Sequence, residues 1–384
     1  MAERKRIALN YRTGYDFAAG IVIYIQNIVK GFKMLDDTLR PHLTIIYSES
    51  SSIDELKNID YPYIRYYKYK RFKRTIVSKG INKIFRELFN YIPLKRHSFP
   101  KDLDFLYPYF EEDETFYFKK RLYWKPDFQE LHYPNYFSKE EINYSSMLMK
   151  KVAANPDYTL VLSSQDSLND YTKFYGPYSN KVNLLPFISV LPDLSRYNTA
   201  ATLKKYNIRK KYFLIANQFW PHKNHMLVLE ALRETVKENN DFILVLTGKK
   251  NTYRDKKYFV NLEKFILDNN LKDHVKMTGF ISREDQLVLM KNAIAVIQPS
   301  LFEGWSTVIE DCKALGQFVI ASDLDVNKEQ LKTNCLFFQR NDPAELSKHM
   351  IHVLREGTNV VPLNYTENIE AFKKDLVNIF QLDK

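Results

Sequence analysis

The clearest pattern lies in the second half of the chain, where short apolar runs recur without polar alternation. They are YFLIAN (212–217), DFILVLTG (241–248), VKMTG (275–279), AIAVIQPS (293–300), QFVIAS (317–322) and CLFFQ (335–339). Continuous runs of this kind suit strands covered on both faces. Stretches with helical spacing separate most of them, at about 224–238, 255–270, 282–291, 307–315 and 343–355. SRED (282–285) and NDPAE (341–345) are helix starts, each with a capping residue ahead of acids. Strands alternating with helices predict a parallel sheet with helices on both faces.

The first half opens the same way. RIALNY reads as a strand, a loop with Gly14 and Gly20 follows, and GIVIYIQNIVKGF then keeps helical spacing through Ile21, Ile25, Ile28, Val29 and Phe32. LTIIY (43–47), DFLYPY (104–109) and YTLVLS (158–163) are further strand candidates, whereas roughly 60–150 is rich in Tyr and Lys and shows no clear period. The join falls near PFISVLPDLSRYNTA (186–200), with two prolines and no periodicity. The pattern predicts two facing, doubly wound α/β domains, 1–190 and 200–365, followed by an amphipathic helix within 366–384. Ligands of such sheets bind beyond the carboxyl ends of the strands.

Composition adds limits. At 384 residues, 45% hydrophobic and 27% charged, the chain is of the soluble globular class. No window approaches an uncharged apolar run of about 18 residues, so no membrane span is expected. The start, MAERKRIALNY, is unlike a signal peptide. Cys312 and Cys335 lie in apolar stretches and read as reduced core residues of a cytoplasmic protein. The formal charge of +11 is uneven: between Arg65 and Lys101, twelve basic residues face the single acid Glu87, with Tyr and Phe interleaved. That segment is either a solvated basic face or a contact for nucleic acid, an anionic membrane surface or a phosphorylated substrate.

Candidate chemistry gathers after two strands. Lys223 precedes a helix N-terminus, where the dipole favours an anion, so it either points to solvent or meets an anionic partner. His222 and His225 lack a third ligand nearby and read as cap and packing residues rather than a metal pair. In PSLFEGWSTVIEDCKALG (299–316), Gly304 permits close backbone approach and Ser306 or Thr307 can cap the next helix. Val308, Cys312 and Leu315 form that helix's apolar stripe. Glu310 lies about 170° from it and completes a capping box with Thr307. Asp311 lies only about 85° away, at the border of the buried face, where an unpaired carboxylate is costly. Asp311 is therefore the better candidate for ligand hydroxyls. Glu303, at a strand end, is the acid best placed to reach the same ligand.

IANQFWPHKNH, TGFISREDQ, QPSLFEGWSTVIEDCKALG and IASDLDVNKEQ, in this order and spacing, together resemble the retaining glycosyltransferases of family 4, of the GT-B fold. WKPDFQELHYPNYFSKEEI (124–142) and SSQDSLNDY (163–171) resemble the family's acceptor-side segments. The resemblance implies GT-B architecture, with the C-terminal helix crossing back onto the first domain. It also implies a donor site drawn from Gly20, Asn217, Gln218, Lys223, Gly279, Ile281, Glu303, Gly304, Trp305, Ser306, Thr307 and Asp311. Glu303 would contact the transferred sugar, Lys223 the diphosphate and Asp311 the ribose, with Glu310 the alternative ribose ligand under a one-residue shift. Gln218 stands where the family carries arginine. Pro126-Asp127 stands where many members carry a His-Asp pair, leaving Asp127 as the acceptor-side catalytic candidate.

The resulting expectation is a retaining hexosyltransferase that needs no metal or other cofactor. A nucleotide-sugar would be the donor, and a saccharide or lipid-linked saccharide of surface polysaccharide or glycolipid synthesis the acceptor. It would be cytoplasmic, with possible peripheral contact to the inner face of a membrane through residues 65–101. The DLD triplets at 102–104 and 323–325 read as structural. The alternatives are a protein binding nucleic acid or an anionic surface through 65–101, an epimerase or inverting enzyme of the same fold, and a non-catalytic relative.

Overall fold

The computed structural model describes residues 4–11, 19–48, 53–69, 75–89, 93–94, 99–100, 102–108, 121–249 and 257–383. The chain divides into two compact units. One comprises 1–128, 139–188 and 367–384; the other comprises 129–138 and 189–366.

The first unit carries β1 (Arg6–Tyr11), α1 (Ala19–Lys33), β2 (His42–Tyr47), α2 (Asp54–Lys57), β3 (Ile64–Lys68), α3 (Ile76–Phe89), β4 (Phe105–Tyr107) and β5 (Arg121–Lys125). The short α4 (Gln129–His132) belongs to the second unit; α5 (Lys139–Ala153), β6 (Tyr158–Leu162), α6 (Gln165–Tyr175) and β7 (Lys181–Leu184) complete the first. Its strands pair in parallel, in the orders β3-β2-β1-β4 and β5-β6-β7. From α1, Tyr24, Ile25, Ile28, Val29 and Phe32 are buried, so its helical spacing does mark a core face.

The second unit continues with α7 (Thr199–Lys205), β8 (Lys211–Ile215), α8 (His225–Glu238), β9 (Phe242–Thr247), α9 (Tyr258–Asp268), β10 (Val275–Gly279) and α10 (Arg283–Asn292). Then come β11 (Ala295–Gln298), α11 (Thr307–Leu315), β12 (Val319–Ser322), α12 (Asp325–Gln330), β13 (Cys335–Phe338) and α13 (Pro343–Glu356). All six strands are parallel, in the order β10-β9-β8-β11-β12-β13. The strands lack polar alternation because both faces are covered. Phe213 and Ile215 pack with Leu229 and Leu232 of α8 and Met350 of α13. Tyr212 and Leu214, pointing the other way, pack with Leu287 and Met290 of α10 and Ile309 and Cys312 of α11. Order reverses between β8 and β11, which makes their carboxyl ends the switch point of the sheet.

The last helix, α14 (Thr366–Phe380), returns to the first unit. Phe380 packs edge-on against Phe32, Phe105 and Tyr107, at 5.3, 5.9 and 5.6 Å between ring centroids. Gly31 of α1 lets α14 approach closely: a Cβ there would lie 2.6 Å from Phe372 Cε1 and 2.7 Å from Leu376 Cδ1.

Three features depart from the sequence pattern. The stretch without a clear period contains α3 and most of α5; α5 buries only Met149, Val152 and Ala153, all at its end, too short a stripe to show as a period. The segment 124–142 is split, since Gln129–Ser138 joins the second unit although residues on both sides belong to the first. The expected capping box of Thr307 and Glu310 does not form. Ser306 is the N-cap, accepting from Ile309 N, and Glu310 is buried because α11 is covered on both sides.

The close approach at Gly31 makes a test. Gly31→Val should destabilise the protein by about 1–3 kcal/mol, since fully buried Phe372 and Leu376 must move. Gly80→Ala on exposed α3, where nothing lies within 4 Å of the new Cβ, should leave the urea midpoint unchanged or slightly higher. Equal midpoints for both variants would contradict the packing described.

Candidate active site

The loops at the switch point hold a connected polar cluster. Asn217, two residues beyond β8, donates from Nδ2 to Gln298 Oε1 at the end of β11, 2.8 Å away. Gln298 Nε2 in turn donates to Glu303 Oε1 (2.7 Å) and to Ser306 Oγ (3.0 Å). Ser300 Oγ donates to the same Glu303 oxygen at 2.6 Å, and Lys223 Nζ meets it at 2.5 Å. One carboxylate oxygen thus takes three donors, one of them charged.

Backbone geometry fixes both partners. Pro221–Lys223 form a single 3₁₀ turn, and Asn224, in the left-handed region at φ 53°, starts α8. Asparagine tolerates that conformation well. Leu301 N donates to His222 O at 2.8 Å, tying the Glu303 loop to the Lys223 turn. The pair is shielded: the side chains of Lys223 and Glu303 are 18% and 9% exposed. Lys223 therefore has an anionic partner in this structure, and of the two readings of its position the solvent-facing one is excluded.

His222 and His225 pack, as their context predicts. His225 stacks on Phe219 at 4.7 Å between centroids, while His222 sits edge-on to Trp220. Burial, reinforced by the Lys223 cation and opposed by the Asn217 backbone, pushes His225 down to about 3. It is a neutral core histidine.

The two acids of α11 have separate partners. Asp311 is buried and forms a bidentate ion pair with Arg283, while Ser189 Oγ donates to its Oδ1 at 2.5 Å. Glu310 is equally buried; it accepts from Lys313 (2.8 Å), from Gln330 Nε2 (3.1 Å) and from the Tyr365 hydroxyl (2.7 Å). Burial and the Glu310 charge push the Tyr365 phenol well above its ordinary range, so it remains a donor. Its oxygen also accepts from Ser189 N at 2.7 Å. Gln330 holds the cap residue from both sides, accepting from Ser306 N (2.8 Å) and donating to Ser306 O (3.1 Å). Glu310 is thus a buried anchor rather than a solvated cap residue.

The other candidates are distributed as follows. Gly279 ends β10 at φ +75°, with nothing within 4 Å of a Cβ position, and Ile281 is buried just beyond it. Gly304 is buried, Trp305 and Thr307 are half-buried, and Gln218 is half-buried after β8. Gly20, in the first turn of α1, and half-buried Asp127, beyond β5, belong to the first unit. His132 lies against Phe302, the neighbour of Glu303, at 5.1 Å between ring centroids. Asp323 pairs with Arg340 and Asp102 with Arg65, which gives both DLD triplets a structural use. Of the basic segment from Arg65 to Lys101, Lys70, Arg71, Lys73, Arg74, Lys95, Arg96 and Lys101 lie outside the described residues. No described helix is long and apolar enough to cross a membrane.

Sequence reasoning missed Gln298, Arg283, Gln330 and Tyr365. Gln298 carried a usable signal: an amide closing an otherwise apolar buried strand must find partners. Arg283, in a run of charged residues at a helix start, carried none.

Residues 199–371 match the family model described as Glycosyl transferases group 1. The chain is 24% identical over 219 residues to the O-antigen chain mannosyltransferase RfbU of Salmonella typhimurium, covering 56% of each chain. It is 28% identical over 164 residues to the UDP-Gal:alpha-D-GlcNAc-diphosphoundecaprenol alpha-1,3-galactosyltransferase of Escherichia coli, covering 39% of this chain and 38% of that one. The chain thus spans about half the length of the first of these curated relatives and less than half of the second. The solved structure of Anabaena Alr3699/HepE in complex with UDP and glucose aligns over 98% of this chain and 95% of its own, at 14% identity and a TM-score of 0.67. Likeness at that level shows the fold, which is GT-B with two Rossmann-like domains.

His225 gives a pH test of the core beside Lys223. The unfolded chain binds a proton near pH 6.5 while folded His225 resists one down to about 3, so its share of stability is complete above about pH 6.5 and declines below it. His225→Phe should flatten the acid side of the stability profile, removing on the order of 3 kcal/mol of the loss between about pH 6.5 and pH 4. Urea titrations across that range check it, and parallel profiles for the two proteins would contradict a neutral buried imidazole.

Proposed function

We propose that this chain is a retaining glycosyltransferase. It moves a sugar from a nucleotide-sugar donor to a saccharide or lipid-linked saccharide acceptor, in the synthesis of a surface polysaccharide or glycolipid. The observation that carries the reading is the Lys223–Glu303 pair at the switch point of a parallel sheet, where open α/β sheets bind their ligands. The matched glycosyl transferase domain, and the activities named for the two curated relatives, support the same reaction class.

The residue types suit the chemistry. Breaking the bond between the anomeric carbon and the diphosphate oxygen builds negative charge on the leaving group and positive charge on the sugar. In this reading Lys223 turns from Glu303 to the diphosphate, joined by the N-terminal turn of α11. Glu303, held at one oxygen by Gln298 and Ser300, presents its carboxylate to the sugar. The acceptor hydroxyl attacks from the face the leaving group departs and gives its proton to the departing diphosphate oxygen, and the same-face bond retains the anomer. Asp127 serves the acceptor and Gly20 the phosphates, as the family resemblance implies. Gly279 and Ile281 line the nucleoside end, with Asp311 and its Arg283 partner on the ribose side. The reading requires no metal, since a cation and helix N–H groups meet the leaving charge. Two unpaired cysteines agree with a cytoplasmic setting.

Glu303→Gln and Lys223→Ala should each lower transfer by at least about 100-fold, while circular dichroism shows a folded protein. Full turnover by either variant would sink the assignment. Asp311→Asn should raise the donor KM well above the effect of Glu310→Gln, whose carboxylate is enclosed by Lys313, Gln330 and Tyr365. The opposite order would move the ribose to Glu310. In a thermal-shift screen of UDP-, GDP- and ADP-sugars, the true donor at about 100 times its Kd should add about 2.7 kcal/mol. A flat response to the whole panel would count against nucleotide-sugar binding.

A further inference from the structure

We infer that Tyr133 is a positioning residue for Glu303, and that the segment from Gln129 to Ser138 is a strap that holds the Glu303 loop against the Lys223 turn. The inference rests on the reading of Glu303 as the acid that meets the sugar, and its test separates the two.

The strap is stiffened by its own sequence. Tyr133 N donates to Gln129 O at 2.8 Å, closing the turn of α4, and Pro134–Tyr136 then form a single 3₁₀ turn with proline at its first position. The fixed φ of proline suits that position. Tyr136 N donates to Tyr133 O at 3.1 Å. Side chains three residues apart eclipse in such a turn, and the rings of Tyr133 and Tyr136 stack, 5.8 Å between centroids and 8° from parallel. Two stacked rings on a proline-stiffened turn have little freedom left to lose when they hold a neighbour.

The strap grips the flank of each partner of the ion pair. The Tyr133 hydroxyl donates to Leu301 O (3.2 Å), while Leu301 N donates to His222 O (2.8 Å). The N–H and the carbonyl of Leu301 are thus both held, one by the Lys223 turn and the other by the strap. Phe302, directly ahead of Glu303, has the ring of His132 at 5.1 Å and that of Tyr133 edge-on at 6.1 Å. Tyr136 lies 6.4 Å, between ring centroids, from buried His222, the residue directly ahead of Lys223.

A strap is needed because Glu303 stands on a loop between β11 and α11, beyond the reach of the sheet's hydrogen-bond ladder. The Lys223 turn closes on itself, with Lys223 N donating to Trp220 O (2.9 Å) and Asn224 N to Pro221 O (3.1 Å). Loss of the Tyr133 hydroxyl therefore shifts Glu303 more than Lys223. In the proposed reaction Lys223 meets the diphosphate in the bound donor as well as in the transition state, whereas Glu303 meets charge that develops on the sugar. A displaced Glu303 slows turnover and spares donor binding. A misplacement of about 1 Å can cost about 100-fold in rate.

The full chain is given UDP-galactose, UDP-glucose, GDP-mannose and ADP-glucose with water in the acceptor's place, and release of the nucleoside diphosphate is followed. With a donor that the wild type hydrolyses, Tyr133→Phe should lower kcat about ten-fold and keep the donor KM within about two-fold. In a Glu303→Asp background, where the carboxylate is already withdrawn, the same substitution should change kcat by less than about two-fold, because both act through one contact. Tyr212→Phe removes a phenol-to-carbonyl bond of the same kind, 2.8 Å to Leu289 O in the core. It should lower the melting temperature more than Tyr133→Phe does and leave kcat unchanged. Without substrate, hydrogen exchange in peptides covering 299–306 should be at least about three-fold faster in Tyr133→Phe, with β9 and β12 unchanged. The inference is overturned if Tyr133→Phe keeps the wild-type kcat, raises donor KM instead, or loses the same factor in the Glu303→Asp background. It is equally overturned if exchange at 299–306 is unchanged, or is faster throughout the unit as for a merely structural tyrosine. A wild type that hydrolyses none of the four donors counts against the transfer reading alone, and exchange at 299–306 then decides whether the strap holds the loop.

Discussion

A carboxylate that is only 9% exposed has to be compensated, and the second unit is arranged around meeting that demand at Glu303. Breaking a buried ion pair by removing one partner costs about 3–5 kcal/mol, whereas an exposed pair such as Arg355–Glu238 contributes about 0–1 kcal/mol. The difference lies in the surroundings. Glu303 Oε1 has Gln298, Ser300 and Lys223, and Gln298 is itself anchored by Asn217 and by the N-cap of α11. The hydrogen bond between Asn217 and Gln298 spans the point where strand order reverses, so the same contact joins the two halves of the sheet and orients the acid.

The α11 helix shows the same economy of partners for its two adjacent acids. Residues next to each other on a helix diverge by about 100°, so Glu310 and Asp311 cannot share one environment. Each finds a cation of its own, Lys313 for the first and Arg283 for the second. Ser189 connects them, its hydroxyl on Asp311 and its backbone N–H on the Tyr365 oxygen that donates to Glu310. Any ligand hydroxyl approaching Asp311 would join an ion pair already made, which gives Arg283 a say in how that carboxylate is presented.

The α3 helix is the counterexample within the same chain. Elsewhere an amphipathic helix turns its apolar stripe inward: α14 does so through Phe372, Leu376 and Phe380. On α3 the stripe points outward, and the buried residue of the helix, Asn82, is paired with the backbone of Leu94. The sequence pattern alone cannot distinguish the two cases, because a hydrophobic stripe encodes that a face will be buried and not what buries it.

The strand–helix order of the second unit was legible from residues alone, because strands enclosed on both faces must be apolar throughout and the helices between them keep their period. Glu303 and Lys223 were also legible as candidates, since a charged residue at a strand or helix end stands out against an apolar background. What the sequence could not determine was partnership. Lys223 meets Glu303 and Arg283 meets Asp311 across 80 and 28 residues, separations at which no local pattern records the contact. Glu310 was misplaced for the same reason: helical phase sends it away from the apolar stripe, but only tertiary packing reveals Gln330 and Tyr365 waiting on that other side. Local spacing determines which face of an element is apolar; only the folded chain determines which charges meet, because Coulomb energy depends on distance in space and not along the chain.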